Sequence, residues 1–440
     1  MTTDRRFERS LLETLEDLYL GPTPDYRDAV LAAAVRTRQR PAWTFPGRWL
    51  PVVDIVTRPT FAPRLPLRSL AVGLVILALL LAAAFVYIGT RPTKVPPPFG
   101  PARNGLIVYA AGGDIYIGDP VIGTSRAIVT GPEMDGNPLF ARDGTRVAFM
   151  RQVGDPATPA FDLMVANADG SGPKAVATKL DTDNPFEWSP DGSYLLFTDT
   201  EFRLYRIDAS GATPPKLLLE HAYVQPGEFR PPDGRQILYE PQPAGVTGKQ
   251  TGHALWVMNS DGSGAKPMLE IPPERVRDGD FGSVRYSPDG TMIAFLQAPA
   301  GDTSQLRIFI MNADGTALRP LTTETGSWTE TDLAWSPDSK RIAFDRWHLE
   351  SDGSWKIQPI GVAALEGGAV TPLGPTPVTD GAWFDFSPDG TSIISMPGTI
   401  LSQPYPTTLV QPMTIDTTTG QARPLDWQIG STLTWQRLAH

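Results

Sequence analysis

An aromatic residue followed by Ser-Pro-Asp-Gly, or a close variant, returns along most of this chain. It reads WSPDG at Trp188–Gly192, YSPDG at Tyr286–Gly290 and FSPDG at Phe386–Gly390. Weaker copies are FARDG from Phe140, FRPPDG from Phe229 and WSPDS from Trp335, and Trp435 falls at the next expected place. Successive aromatics lie 48, 41, 57, 49, 51 and 49 residues apart. A repeat near 50 residues, strand-like within each unit, is the mark of a β-propeller. The pattern predicts an all-β domain over residues 104–440 whose business is binding rather than catalysis.

Each unit has the same internal order. A strand ends in the aromatic, and the turn follows: proline presets φ at its second position, and glycine accepts the left-handed conformation that closes it. Then comes an apolar strand: RVAFM at 146–150, YLLFT at 194–198, QILYE at 236–240, MIAFL at 292–296 and RIAFD at 341–345. Several are apolar on both faces, which predicts cover on both sides. A third strand runs into a second turn, as in LMVANADGSG at 163–172, LWVMNSDGSG at 255–264 and IFIMNADGT at 308–316, and a fourth strand ends the unit. The unit from Trp335 departs from this order: Ser339 stands for glycine and no second turn is legible.

The two turn motifs together resemble the TolB-like, WD40-like propeller repeat. That resemblance implies an extracytoplasmic or periplasmic propeller that binds proteins or peptides, and it carries over no active-site residues. TolB itself has six blades, whereas this sequence counts to seven. Seven aromatic strands are present, the last at Trp435, and the first apolar strand, Gly105–Ala110, has no aromatic strand before it. The final strand, expected over Ser431–Gln436, should therefore complete the first blade and close the ring.

Upstream, Ser69–Gly89 is 21 residues without a charge and lacks a polar stripe, which predicts a transmembrane helix. Residues 36–68 hold seven Arg and one acidic residue, Asp54. The positive-inside rule then puts the N-terminus in the cytoplasm and the propeller outside a cell membrane crossed once. Before the span come a helical head over residues 1–40 and a basic juxtamembrane segment over 41–68 with Trp43 and Trp49. After it, residues 90–103 form a proline-rich, semi-rigid linker. Head, single span and outer domain resemble the layout of membrane anti-sigma factors, without the His and Cys pattern that many of them carry.

Composition narrows the chemistry. There is no cysteine, hence no disulfide, thiolate metal site or Cys nucleophile. Net charge is -10, and residues 1–68 contribute 11 Arg against 8 acidic residues, +3, leaving -13 on the rest. An acidic outer domain argues against a nucleic-acid partner. The motif aspartates Asp143, Asp191, Asp289, Asp389, Asp169, Asp261 and Asp314 lack the spacing and closing Glu of a calcium loop, so turn formation accounts for them. Asp181–Asn184 reads as a loop between blades, and His221, His253, His348 and His440 form no ligand pair. No G-x-S-x-G elbow is present. The sequence thus assigns no catalytic, cofactor-binding or metal residue, names no cofactor and leaves the ligand-binding residues unknown. The expected function is a membrane-anchored extracytoplasmic module for a protein or peptide ligand. The alternatives are a transmembrane regulator with an anti-sigma-like head, and a propeller hydrolase or lyase.

Overall fold

The computed structural model describes residues 99–440 apart from 156–157, 181–185, 223–226, 242–253, 271–283, 300–304, 323–325, 378–381, 398–408, 431–432 and 440. Upstream of these it describes residue 77 alone. The expected head, juxtamembrane segment, membrane span and most of the linker therefore lie outside the described residues, as do Asp181–Asn184, His253 and His440. Among the described residues, no helix is long and apolar enough to cross a membrane.

Seven antiparallel sheets follow one another along the chain, six of four strands and one of five. Each begins with an aromatic-bearing strand: Met134–Phe140 in blade 2, Phe186–Trp188 in blade 3, Glu228–Phe229 in blade 4, Arg285–Tyr286 in blade 5, Trp328–Trp335 in blade 6 and Ala382–Phe386 in blade 7. Blade 1 takes its first strand from the end of the chain. Thr434–Leu438 pairs antiparallel with Arg103–Ala111, Trp435 opposite Ile107 and Thr434 opposite Val108. The closure read from the repeat count is present, although the strand lies two to three residues later than expected.

Alternation within the apolar strands builds the ring. In blade 5, Ile293 and Phe295 pack toward Leu238 and Leu255 of blade 4, while Ala294 and Leu296 pack toward Ile342 and Phe344 of blade 6. A strand reading MIAFL buries both faces because each face belongs to a different interface. Every pair of neighbouring blades among the described residues shares one such apolar cluster. The cluster that joins blade 7 to blade 1 sets Ile394, Met396 and Trp427 against Ile107, Tyr109 and Trp435.

The turn motif works as local scaffold and as a contact between blades. Ser287 Oγ donates to Asp289 Oδ1 and accepts from Met292 N, and Asp289 Oδ1 also accepts from Thr291 N at 3.0 Å. Ser189, Ser336 and Ser387 each make the equivalent pair of bonds. Gly290 has φ +69°, and a Cβ there would fall 2.0 Å from Pro231 O of the preceding blade's turn. Arg146 Nη2 donates to Gly192 O at 2.6 Å, its guanidinium 5.2 Å from the Trp188 ring centroid, so the second strand of one blade holds the turn of the next. Arg341 repeats this on Gly390 and Phe386.

Blade 6 corrects the sequence reading. Its second turn is present: Ile360–Ala364 turns through Leu365-Glu366-Gly367 into Val370–Leu373. It was obscured by an inserted hairpin, in which Trp355–Ile357 pairs with the extended second strand Arg341–Leu349. Ser339 takes φ +60° where other copies place glycine, and its Oγ accepts from Asp289 N at 3.1 Å in the neighbouring turn.

Candidate functional site: the central channel

Alternation along the first strands decides what faces the ring's axis. The aromatic points between blades, so the residue before it points the other way. These residues are Thr434, Leu139, Glu187, Glu228, Arg285, Ala334 and Asp385 for blades 1 to 7. Two further arginines, Arg142 and Arg437, occupy the position that proline holds in the Ser-Pro-Asp-Gly copies. Here the ring encloses a cavity of about 270 Å³, with Arg142, Glu187, Arg285, Asp385 and Arg437 on its wall among Trp188, Trp335, Trp383 and Pro288.

The charged groups are held by short bonds. Arg142 Nη2 meets Glu187 Oε1 at 3.2 Å. Glu228 Oε2 accepts from Tyr286 N of the next blade at 2.6 Å, and Thr434 Oγ1 accepts from Phe140 N at 3.0 Å in the same relation. Asp385 Oδ1 accepts from its neighbour, Phe386 N, at 2.8 Å. Trp188 Nε1 donates to Leu139 O, and Trp335 Nε1 to Arg285 O, again one blade back. The channel wall is thus stitched from blade to blade by the same residues that line it.

Enclosure shifts the ionisation of three groups. Burial pushes Glu228 up to about 7, against the pull of Arg285. Burial pushes Asp385 up to about 6, although Arg142, Arg285 and Arg437 draw it down. Arg437 falls to about 10 through burial and the nearby charge of Arg142. Glu228 and Asp385 both keep partial exposure while ringed closely by protein.

The segment entering blade 1 crosses this mouth. Arg437 Nη2 donates to Gly100 O at 2.5 Å, and the Arg142 guanidinium lies 4.9 Å from the Phe99 ring centroid. Ala102 N donates to Pro388 O at 2.9 Å. Since Phe99 and Gly100 also line the cavity, the linker's end is part of the site.

The motif aspartates lie away from this cavity, and the structure places their carboxylates on turn amides. Asp143, Asp169, Asp261, Asp314 and Asp389 each accept the backbone N–H two residues on. His221 is exposed, and His348 Nδ1 lies 3.2 Å from Glu350 Oε1 beside the Trp328 ring. Sequence reasoning passed over the channel residues. The one signal in the sequence was that the residue before the aromatic is charged in four of seven repeats.

No family model matches the chain, and no curated protein does. Solved structures do match. One is an oligogalacturonate lyase in complex with manganese, 14% identical, covering 75% of this chain and 85% of that one, TM-score 0.50. The chain is a seven-bladed β-propeller. TolB from Acinetobacter baumannii is 18% identical over 77% of this chain and 81% of its own, TM-score 0.42. A prolyl endopeptidase is 14% identical over 77% of this chain and 50% of its own, TM-score 0.49. At such identities the likenesses speak for the fold alone, and they include propellers of enzymes as well as TolB.

Proposed function

We propose that this protein is a single-pass membrane protein whose extracytoplasmic propeller binds a ligand at the tight-turn mouth of its central channel. The observation that carries the reading is the convergence of charged side chains from six of the seven blades at and around one cavity. Glu228, Asp385 and Arg437 are held there against the cost of desolvation, and isolated charges are normally left at the surface. The arrangement concentrates polar groups in a concave site with aromatic and proline walls, the usual make-up of a ligand pocket. Anchoring is supported by Ser69–Gly89 and the arginine asymmetry around it.

The chain has no cysteine, so a single introduced thiol reports one position cleanly. A photo-crosslinker on Phe99→Cys should capture ligand from an extracytoplasmic extract, and the same label on exposed Leu217→Cys at the outer edge should not. Capture at Leu217→Cys alone would sink channel binding. Turnover of the captured compound would turn the reading toward an enzyme.

A further inference from the structure

Among the described residues, Arg285 is a cation of the channel wall with no carboxylate paired to it. It is exposed, on the cavity wall, and its Nη1 donates to Val284 O at 3.0 Å. Among the described residues it meets no carboxylate within ion-pair distance, although it lies close enough to Glu228 and Asp385 to influence both. Arg142, on the same wall, uses one Nη on Glu187 and turns its face to Phe99. A guanidinium presents a planar fork of donors that suits a carboxylate, and such pairs strengthen where water is scarce.

We infer that the channel mouth binds the carboxylate of a small ligand, clamped by Arg285 with Arg142, its body resting on Trp383 and Pro288. The inference rests on the channel-binding reading and names the chemistry of its ligand. The cavity, about 270 Å³, is just below the usual range of ligand pockets, about 300 to 1,000 Å³. It takes a body the size of one sugar ring or one amino acid. Trp383 is half-buried and supplies an apolar face for either.

The charge balance makes binding depend on pH. On the cavity wall are Arg437 from blade 1, Arg142 from blade 2, Glu187 from blade 3, Arg285 from blade 5 and Asp385 from blade 7, and Glu228 of blade 4 lies close enough to feel Arg285, Glu187 and Arg142, while blade 6 has Ala334 at this position. Three cations then meet three carboxylates when all are ionised. Glu228 and Asp385 take up protons as pH falls through about 7 and about 6, which leaves an excess of positive charge. A ligand carboxylate of ordinary pKa, about 4, stays ionised at pH about 5 and gains affinity there.

The test uses the full-length protein in detergent and measures binding by calorimetry of N-acetylglycine, D-glucuronate, inorganic sulfate and the neutral N-acetylglycinamide. N-acetylglycine, D-glucuronate or both should bind about tenfold tighter at pH about 5 than at pH about 8, with the amide at least tenfold weaker than the acid. Whichever carboxylate binds identifies the amino-acid or sugar source. Arg285→Ala should lose about tenfold or more in affinity with melting unchanged, since the side chain is exposed, and Arg285→Lys should recover part of the loss. Equal binding of acid and amide, preference for sulfate over both carboxylates, tighter binding at the higher pH, indifference to Arg285→Ala, or no binding of any probe at millimolar concentration would each overturn the inference. A neutral ligand captured at Phe99→Cys and indifferent to Arg285→Ala would overturn the carboxylate chemistry and leave channel binding standing.

Discussion

Glu228→Gln should make the propeller more stable at alkaline pH and change nothing at acid pH. The folded chain holds the Glu228 proton up to about 7, against an ordinary value of 4.5. The contribution of Glu228 to stability is therefore largest below about 4.5, falls as pH rises between these values, and levels off above about 7. The gap of about 7 − 4.5 = 2.5 units, at 1.36 kcal/mol per unit, sets a ceiling of about 3 kcal/mol. Its partial exposure to solvent reduces this to roughly 1–2 kcal/mol. Glutamine carries no charge to desolvate, and its carbonyl oxygen still accepts from Tyr286 N, so the wall bond survives. Asp385 shifts in the same direction but is present in both proteins, and its slope cancels in the difference. Urea unfolding of both proteins at pH about 4 and about 8 measures that difference. Curves that coincide near pH 4 and separate in favour of the glutamine variant near pH 8 support the reasoning. A displacement equal at both pH values, or destabilisation confined to alkaline pH, refutes it.

Trp435→Ala should destabilise the whole domain by about 3–5 kcal/mol, because Trp435 fills the interface that joins the last blade to the first; a melting curve like that of the wild type would contradict ring closure at this strand. Asp289→Ala should cost about 1 kcal/mol through loss of the Ser287, Thr291 and backbone bonds. Burial works to raise Asp289, yet the bonds from Ser287 and Thr291 hold it below the ordinary carboxylate value, so its contribution should fade as acid protonates it; a melting temperature that climbs sharply with calcium would oppose the turn role. Protease added to intact spheroplasts should remove the propeller and spare residues 1–68, and protection of the propeller would reverse the proposed topology.

What the sequence determined by itself is the local chemistry and its count. Ser-Pro-Asp-Gly closes a turn through bonds confined to a few consecutive residues, so Trp188–Gly192 and Phe386–Gly390 announce their geometry wherever they occur. Strands apolar on both faces, such as Met292–Gln297, require neighbours on both sides, and seven aromatics with an unpaired first strand require the end to meet the beginning. The hairpin of blade 6 was missed because an insertion separates its second turn from the expected spacing. A second device was also illegible. Asp135 pairs with Arg151 in blade 2, and Glu330 stands opposite Arg346 in blade 6, each acid five residues before its aromatic in a first strand with a register shift. The channel belongs wholly to the tertiary structure. Glu187, Glu228, Arg285 and Asp385 are each one ordinary residue before an aromatic, 41 to 100 residues from the next of the four. Only closure of the ring turns that one position per repeat toward a shared axis, where the charges lose water and act on one another. Their ionisation follows from enclosure, which spacing along the chain does not encode.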